Sequence, residues 1–246
     1  MAIALLADIH SNLEALEACL AHARSRGVER FVFLGDLVGY GADPAAVVEI
    51  VAGFAGRGAV VVKGNHDAAI ARRDGYLNEA ATAAIEWSRT ALSPGHREFL
   101  ESLPLIVREQ DACFVHGSAS MPERWNYVDS AGAAETCAQA AERPYTFCGH
   151  VHDQVLYGED ARGRMIRFVP RPGATVPASG RRKWLALAGS VGQPRDGNPS
   201  AAYVTADLPK GSITFHRVPY DNLAAAAKIR AAGLPEALAY RLERGV

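Results

Sequence analysis

Two histidines one residue apart lie in the stretch FCGHVHD, Phe147 to Asp153. At i and i+2 they point to one side if the backbone there is still extended, so they raise the question of a shared target. Asp8-Ile9-His10, Gly35-Asp36, Gly64-Asn65-His66-Asp67 and His116-Gly117 each follow a short apolar run, as Gly149-His150-Val151-His152 does. Imidazole, carboxylate and one amide, without thiolate, suit Mn, Fe, Zn or Ni better than Ca or a structural zinc–cysteine site. Asp8, His10, Asp36, Asn65, His116, His150 and His152 outnumber the ligands of one tetrahedral ion and suffice for two ions with one bridging group. A carboxylate bridges and an imidazole normally does not. Asp36, between the first and third strand ends, is the natural bridge. Two ions ~3.5–4 Å apart activate a shared water and clamp a phosphoryl group for in-line displacement. His66, left over beside the amide, can give a proton to the leaving oxygen or stabilise developing charge. Asp67 either orients His66 or caps a helix that starts there.

Each block alone is weak: D-x-H by itself reads as a turn or an ion pair, and Gly-Asp after a strand is weaker still. The ordered set of five is specific. His22, His96 and His216 fall at helix or hairpin positions and read as surface or satisfied core residues.

The elements that must position these groups alternate in the first half. Ala2 to Ala7, Phe31 to Leu34 and Ala59 to Val62 are strand-like. Ser11 caps a helix carrying Leu13, Leu16 and Leu20, and Asp43-Pro44 opens another through about Phe54. Asn78 to Leu92 is helical, and Ser93-Pro94 starts a helix towards Leu103. This order argues a largely parallel sheet with helices on its faces, and sites on such sheets form at the carboxyl ends of the strands. Ala112 to Val115 and Tyr145 to Cys148 are further strands, with a helix near Ala131 to Ala141 between them. Gln154 to Tyr157 with Arg164 to Val169, and Ala201 to Asp207 with Ser212 to Val218, read as antiparallel hairpins. Trp184 to Ala188 is another apolar strand. Leu223 to Leu242 forms one or two helices, broken near Gly233 to Pro235. The expectation is one domain, residues 1–246, with two packed sheets.

Composition excludes several classes. A chain of 246 residues, 49% hydrophobic, can bury one large core. Its net charge of −1 argues against a general polyanion binder. Arg162 to Lys183 is the exception, basic without an acidic residue, and reads as a solvated face or as a rim attracting an anionic substrate. Cys19, Cys113, Cys137 and Cys148 form no C-x-x-C and read as buried thiols in a reducing compartment. MAIALLADIH is too short for a signal peptide and no run nears ~18 apolar residues, so a cytoplasmic location and no membrane partner are expected.

The blocks D-x-H, G-D, G-N-H-D, H and G-H-x-H, in this order from Asp8 to His152, resemble the calcineurin-like metallophosphoesterase superfamily. The resemblance implies a four-layer α-β-β-α sandwich of two mixed sheets flanked by helices. It implies that Asp8, His10, Asp36 and His152 hold one divalent ion and Asp36, Asn65, His116 and His150 the other, with manganese favoured in vitro. It makes His66 the catalytic histidine. Serine/threonine protein phosphatases continue the second block as G-D-x-V-D-R-G, whereas here it is GDLVGYG, Gly35 to Gly41. Gly39 and Tyr40 replace the aspartate and arginine, which turns the resemblance towards the small bacterial phosphodiesterase branch. GSVGQPRDG, Gly189 to Gly197, offers Arg195 as a bidentate phosphate contact. Asn12 and Tyr40, beside the metal ligands, are the other candidate substrate contacts.

The expected activity is a dimetal-dependent phosphodiesterase acting on a small phosphate ester or nucleotide. The alternatives are a phosphomonoesterase or nucleotide phosphatase of the same superfamily and a non-catalytic scaffold on the same fold. Near-neutral charge and the lack of an appended basic segment argue against a nucleic-acid partner. An oligomer is left open.

Overall fold

The computed structural model describes residues 2–71 and 78–246. The chain begins with β1 (Ile3–Leu6), α1 (Leu13–Ser25), β2 (Arg30–Phe33), α2 (Pro44–Ala55) and β3 (Val60–Val61). Three helices follow, α3 (Asn65–Ala71), α4 (Glu79–Ala91) and α5 (Pro94–Ser102). Next come β4 (Ile106–Glu109), β5 (Ala112–Val115), α6 (Ala131–Ala141) and β6 (Tyr145–Cys148). Six more strands follow, β7 (Gln154–Glu159), β8 (Met165–Phe168) and β9 (Thr175–Pro177), then β10 (Trp184–Ala188), β11 (Ala201–Asp207) and β12 (Ser212–Val218). The helices α7 (Asn222–Ala231) and α8 (Glu236–Arg244) complete the chain.

Two mixed sheets of six strands result, ordered β3-β2-β1-β11-β12-β9 and β4-β5-β6-β10-β7-β8. The side-chain period of two decides their packing. Ile3 and Leu5 of β1, Val32 of β2, Phe114 of β5 and Phe147 of β6 fill the layer between the sheets. Their neighbours Ala4, Leu6, Phe31 and Phe33 turn outward onto Leu16 and Leu20 of α1 and Val47 and Val51 of α2. On the second sheet Cys113, Val115, Cys148 and Leu187 pack with Ala134 and Cys137 of α6. Both faces of the strands are covered, which explains why β1, β5 and β6 are wholly buried. This is the expected α-β-β-α sandwich. No helix among the described residues is long and apolar enough to cross a membrane.

β1, β2 and β3 run parallel in one sheet, as do β5, β6 and β10 in the other. Their carboxyl ends therefore gather on one edge of the sandwich. The loop leaving β10 crosses to the other sheet, where Val191 N donates to Ala7 O and Gly192 N to Asp8 O, both at 2.9 Å.

Three elements differ from the sequence expectation. β4 and β9 were not expected, and α3 starts at Asn65, before Asp67. The cap of α1 is Asn12 and not Ser11: Asn12 Oδ1 accepts from Ala15 N at 3.1 Å. The reason is the left-handed turn before it, with φ of 49° at His10 and 53° at Ser11, which uses Ser11 to reverse the chain.

Candidate metal centre

All seven candidate ligands come together at the gathered strand ends, and all but Asn65 are buried. His10 Nδ1 donates to Val38 O (3.2 Å), His116 Nδ1 to Leu34 O (2.8 Å) and His152 Nδ1 to Gln193 O (2.6 Å). With those protons committed to carbonyls, each Nε2 presents a lone pair inward. His150 stacks on Tyr127 and turns Nδ1 inward.

The inward atoms form two sets. In the first, His152 Nε2 lies 3.2 Å from His10 Nε2 and 3.4 Å from Asp8 Oδ1, and His10 Nε2 lies 3.8 Å from Asp8 Oδ1. In the second, His116 Nε2 lies 3.1 Å from both Asn65 Oδ1 and His150 Nδ1. Asp36 Oδ2 stands between the sets, 3.7 Å from His10 Nε2 and 3.3 Å from His116 Nε2. Two imidazole lone pairs 3.2 Å apart repel one another unless a cation lies between them. Asp8 Oδ1 is buried and has no hydrogen-bond partner among the described residues. Such an atom is costly without a ligand. The donor set therefore fits two divalent cations sharing Asp36.

Each carboxylate divides its labour. Asp8 Oδ2 accepts from His150 N (2.9 Å) and Asp36 Oδ1 from His66 N (2.8 Å), leaving the other oxygen of each for the donor sets. Burial pushes Asp8 up to about 7, against the pull of His116. Burial also disfavours the Asp36 carboxylate, but His116 and His66 outweigh it and hold that group well below the usual range. Burial lowers His10, His152 and His150, the last to about 3. His116 goes the other way: burial disfavours its cation, but Asp36 and Asp8 outweigh it and raise the group to about 9. Neutral imidazoles are the ligand form, so a cation at the second set would displace the proton from His116.

The backbone does not remain extended through these turns. His150 and His152 have φ of 69° and 70°, so they do not share a direction by strand alternation. The left-handed turn delivers His150 to the second donor set and His152 to the first.

His66 lies in the first turn of α3, buried, with Nδ1 unpartnered among the described residues. One of its ring nitrogens lies within 4.8 Å of the His10 and Asp36 ligand atoms. Distance alone does not separate it from the ligands. The resemblance sets it apart, since the two sets of four ligands it implies do not include His66. Gly39 gives the ring its room, since a Cβ there would lie 2.3 Å from His66 Nδ1. Asp67 does not orient His66. Its Oδ1 accepts from Leu37 N (2.8 Å) and Val38 N (3.3 Å) and its Oδ2 from Gly64 N (2.9 Å), tying the loop after β3 to the loop after β2.

A cavity of about 640 Å³ opens over the donor sets. Tyr40 and Arg195 line it, with the Arg195 guanidinium 5.7 Å from the Tyr40 ring centre. Asn12 does not line it. Its amide donates to Gly192 O (2.9 Å) and Tyr220 Oη (3.1 Å) and its oxygen caps α1, so the side chain is fully occupied by structure. None of the basic residues from Arg162 to Lys183 lines the cavity either, which leaves that stretch as a solvated face.

The cavity also contains residues that the sequence reading missed: Lys63, Asn78, Glu101, Arg124, Trp125 and Tyr127. The only signal for the last two was a pair of aromatic residues in the polar connection PERWNYVD. His22, His96 and His216 lie apart from the site, with His22 Nδ1 2.7 Å from Tyr203 Oη and His216 Nε2 2.8 Å from Thr205 Oγ1.

Comparison with known proteins agrees with this geometry. The model of the calcineurin-like phosphoesterase superfamily domain matches residues 1–211. An uncharacterized protein of Methanocaldococcus jannaschii is 34% identical over 249 residues, covering 99% of this chain and 98% of the relative. The crystal structure of a metallophosphoesterase from Sphaerobacter thermophilus superposes with a TM-score of 0.89 at 38% identity, covering 100% of this chain and 99% of that one. A hypothetical protein from Pyrococcus horikoshii shares the fold, with a TM-score of 0.81 at 20% identity over 100% of this chain and 98% of its own.

Proposed function

Because the chain belongs to the calcineurin-like phosphoesterase superfamily and is a metal-dependent phosphoesterase, we propose that it hydrolyses phosphodiesters at a dinuclear centre bridged by Asp36. The observation that carries this reading is the position of Asp36 Oδ2 between the two donor sets, at 3.7 Å and 3.3 Å from their imidazoles. Asp8, His10 and His152 would complete one site, and Asn65, His116 and His150 the other. When bound, the two divalent ions supply Lewis-acid stabilisation of phosphoryl charge and activate water.

The chain's own side chains supply the rest. His66 gives a proton or a hydrogen bond to the leaving oxygen, from a pocket that Gly39 keeps open. Arg195, the cation beside Tyr40, binds a non-bridging phosphate oxygen. Asp67 positions the loops that carry Asp36 and Asn65. Diester preference is supported by the cavity. Its wall includes Tyr40, which packs on His10 and His66, and Trp125 and Tyr127, which pack on His116 and His150, so aromatic surface for an ester arm borders each donor set.

The test is to strip metal with a chelator, then assay bis-p-nitrophenyl phosphate and p-nitrophenyl phosphate side by side with manganese restored. Diester hydrolysis that returns with manganese supports the reading, and His66→Ala should lower kcat by roughly 10²- to 10⁴-fold at unchanged metal content. Turnover of the monoester alone would replace it with a phosphatase. Full hydrolysis by His66→Ala would remove His66 from the chemistry.

A further inference from the structure

The connection between β5 and α6 brings two aromatic rings against the metal centre, and neither belongs to the ligand motifs. Tyr127 stacks on the His150 imidazole, with centroids 4.0 Å apart and planes at 16°. The indole of Trp125 meets His116 edge-on, at 6.1 Å and 70°. Both line the cavity. One face of Tyr127 is covered by His150, yet the residue is 56% exposed, so its other face is open.

Three features hold the two rings in place. Val128, one residue on, is buried in the core under α6. Trp125 N donates to Pro122 O at 3.4 Å, closing the turn that carries the indole. Gly117, directly after His116, lets the segment close down. A Cβ there would meet Asn126 O at 3.1 Å and the Trp125 backbone at 3.3 Å. Trp125 itself is left-handed, with φ of 55° and ψ of 35°, a conformation that a bulky side chain seldom adopts. Strain of this kind at a cavity wall is a pointer to function. A ring that served only to fill space would be buried, and this one is half-buried in a cavity wall.

From this arrangement we infer that Trp125 and Tyr127 form a stacking platform for the nucleobase of a nucleoside phosphodiester. The inference deepens the proposed phosphodiesterase reading and rests on it. A cavity of about 640 Å³ is far more than a phosphate needs and falls in the range, about 300–1,000 Å³, that takes up a whole small molecule. An aromatic face accepts any base because every base has a π-face. Arg124 and Asn78, also in the wall, can meet the polar edge that a base has and a plain phenyl ring lacks. The arm on the platform is the one that stays on phosphorus. His66, which faces the leaving oxygen, packs with Tyr40 and His10 at 4.6 Å and 4.8 Å, while the platform packs with His116 and His150.

The test holds the leaving group constant and changes the other arm. Methyl, phenyl and thymidine 5′-esters of p-nitrophenyl phosphate are compared on the manganese-loaded protein. The thymidine ester should exceed the methyl ester in kcat/KM by roughly 5- to 150-fold, the range of one base–aromatic stack, chiefly through KM. The phenyl ester should fall between them. Tyr127→Leu and Trp125→Asn, the latter chosen because Asn tolerates the left-handed backbone, should bring the thymidine-to-methyl ratio towards one. A wild-type ratio near one, or a ratio that survives in both variants, overturns the platform and leaves the phosphodiesterase reading standing. A phenyl ester equal to the thymidine ester overturns the nucleobase in favour of any aryl group. The converse failure is seen by binding. Quenching of tryptophan fluorescence by thymidine 5′-monophosphate, lost in Trp125→Asn, would support the platform even if no diester is cleaved. Absence of both that quenching and the rate ratio overturns it.

Discussion

Gly39→Ala is a single-methyl perturbation aimed at His66 from outside the ligand set. A Cβ at position 39 would lie 2.3 Å from His66 Nδ1 and 3.2 Å from its Cγ, and the nearest atoms it meets all belong to that ring. Ordinary contact is about 3.5 Å, so the imidazole must yield by about 1 Å. Displacement of a catalytic group by that much costs about 10²-fold in rate. Gly39 also has φ of 87°, and a left-handed alanine costs about 1–2 kcal/mol. For a chain of this size that lowers the melting temperature by about 2–8 °C. The expected variant is folded, slightly less stable and normally loaded with metal, with kcat on bis-p-nitrophenyl phosphate reduced about 100-fold. Metal content by plasma emission, a thermal melt and steady-state kinetics measure the three quantities. The double variant Gly39→Ala/His66→Ala decides the route. If the methyl acts through His66, the pair is no slower than His66→Ala, because residues that act as a unit are not additive. A wild-type kcat in Gly39→Ala, or two losses that multiply in the pair, would refute the reasoning.

Three further outcomes follow from the site and its surroundings. Asp67→Asn keeps the shape but aims an amide N–H at one of the three backbone donors it now accepts; it should cost about 1–3 kcal/mol of stability, read by denaturant unfolding, without moving the pH profile of kcat/KM, and a moved profile would restore Asp67 to the chemistry. Arg195→Ala should raise KM for the diester by roughly 10-fold or more, the loss of a charge-assisted hydrogen bond, and unchanged KM would remove the phosphate contact. His216 is held down to about 4 by burial, with Arg26 and His22 adding to it. The unfolded chain therefore takes up a proton below about 6.5 that the folded chain refuses until about 4. Stability from this group is present above pH 6.5 and is lost as pH falls through that window. His216→Gln in the metal-loaded protein should lose less of its melting temperature between those two pH values than the wild type, and equal slopes would refute the assignment.

What was legible in the sequence was the part that local rules determine. Tyr145–Cys148, Ala201–Asp207 and Ser212–Val218 have the bounds that hydrophobic pattern and turn residues imply. β9 escaped because it is three residues long, lies at a sheet edge and ends in proline, where a strand needs no pattern of its own. β4 is a half-buried edge strand whose pairing with β5 alone defines it. Asn12 was read as a substrate contact because it sits beside candidate metal ligands. Its role is decided by Gly192 and Tyr220, 180 and 208 residues away. Trp125 and Tyr127 carry no periodic signal, and only the approach of their loop to His150 places them.

The same distinction explains why the ligand set is built as it is. Five of the seven candidate ligands, Asp8, His10, Asp36, His150 and His152, have φ between 49° and 70°. Non-glycine residues in this region cost on the order of 1–3 kcal/mol each, so together they weigh against a net stability of about 5–15 kcal/mol. The offset comes from bonds between the loops. Asp8 N donates to Gly35 O, His10 N to Asp36 O, Ser11 N to Leu37 O and Gly149 N to His116 O, at 2.9–3.1 Å. The Asp67 carboxylate adds three more to the same junction. These are backbone groups and one carboxylate outside the donor sets, so a cation competes for none of them. The left-handed turns can therefore be held by one set of atoms while another set stays free to ligate. That is also why Asp8 and Asp36 each give one oxygen to a backbone N–H and keep the other for a cation.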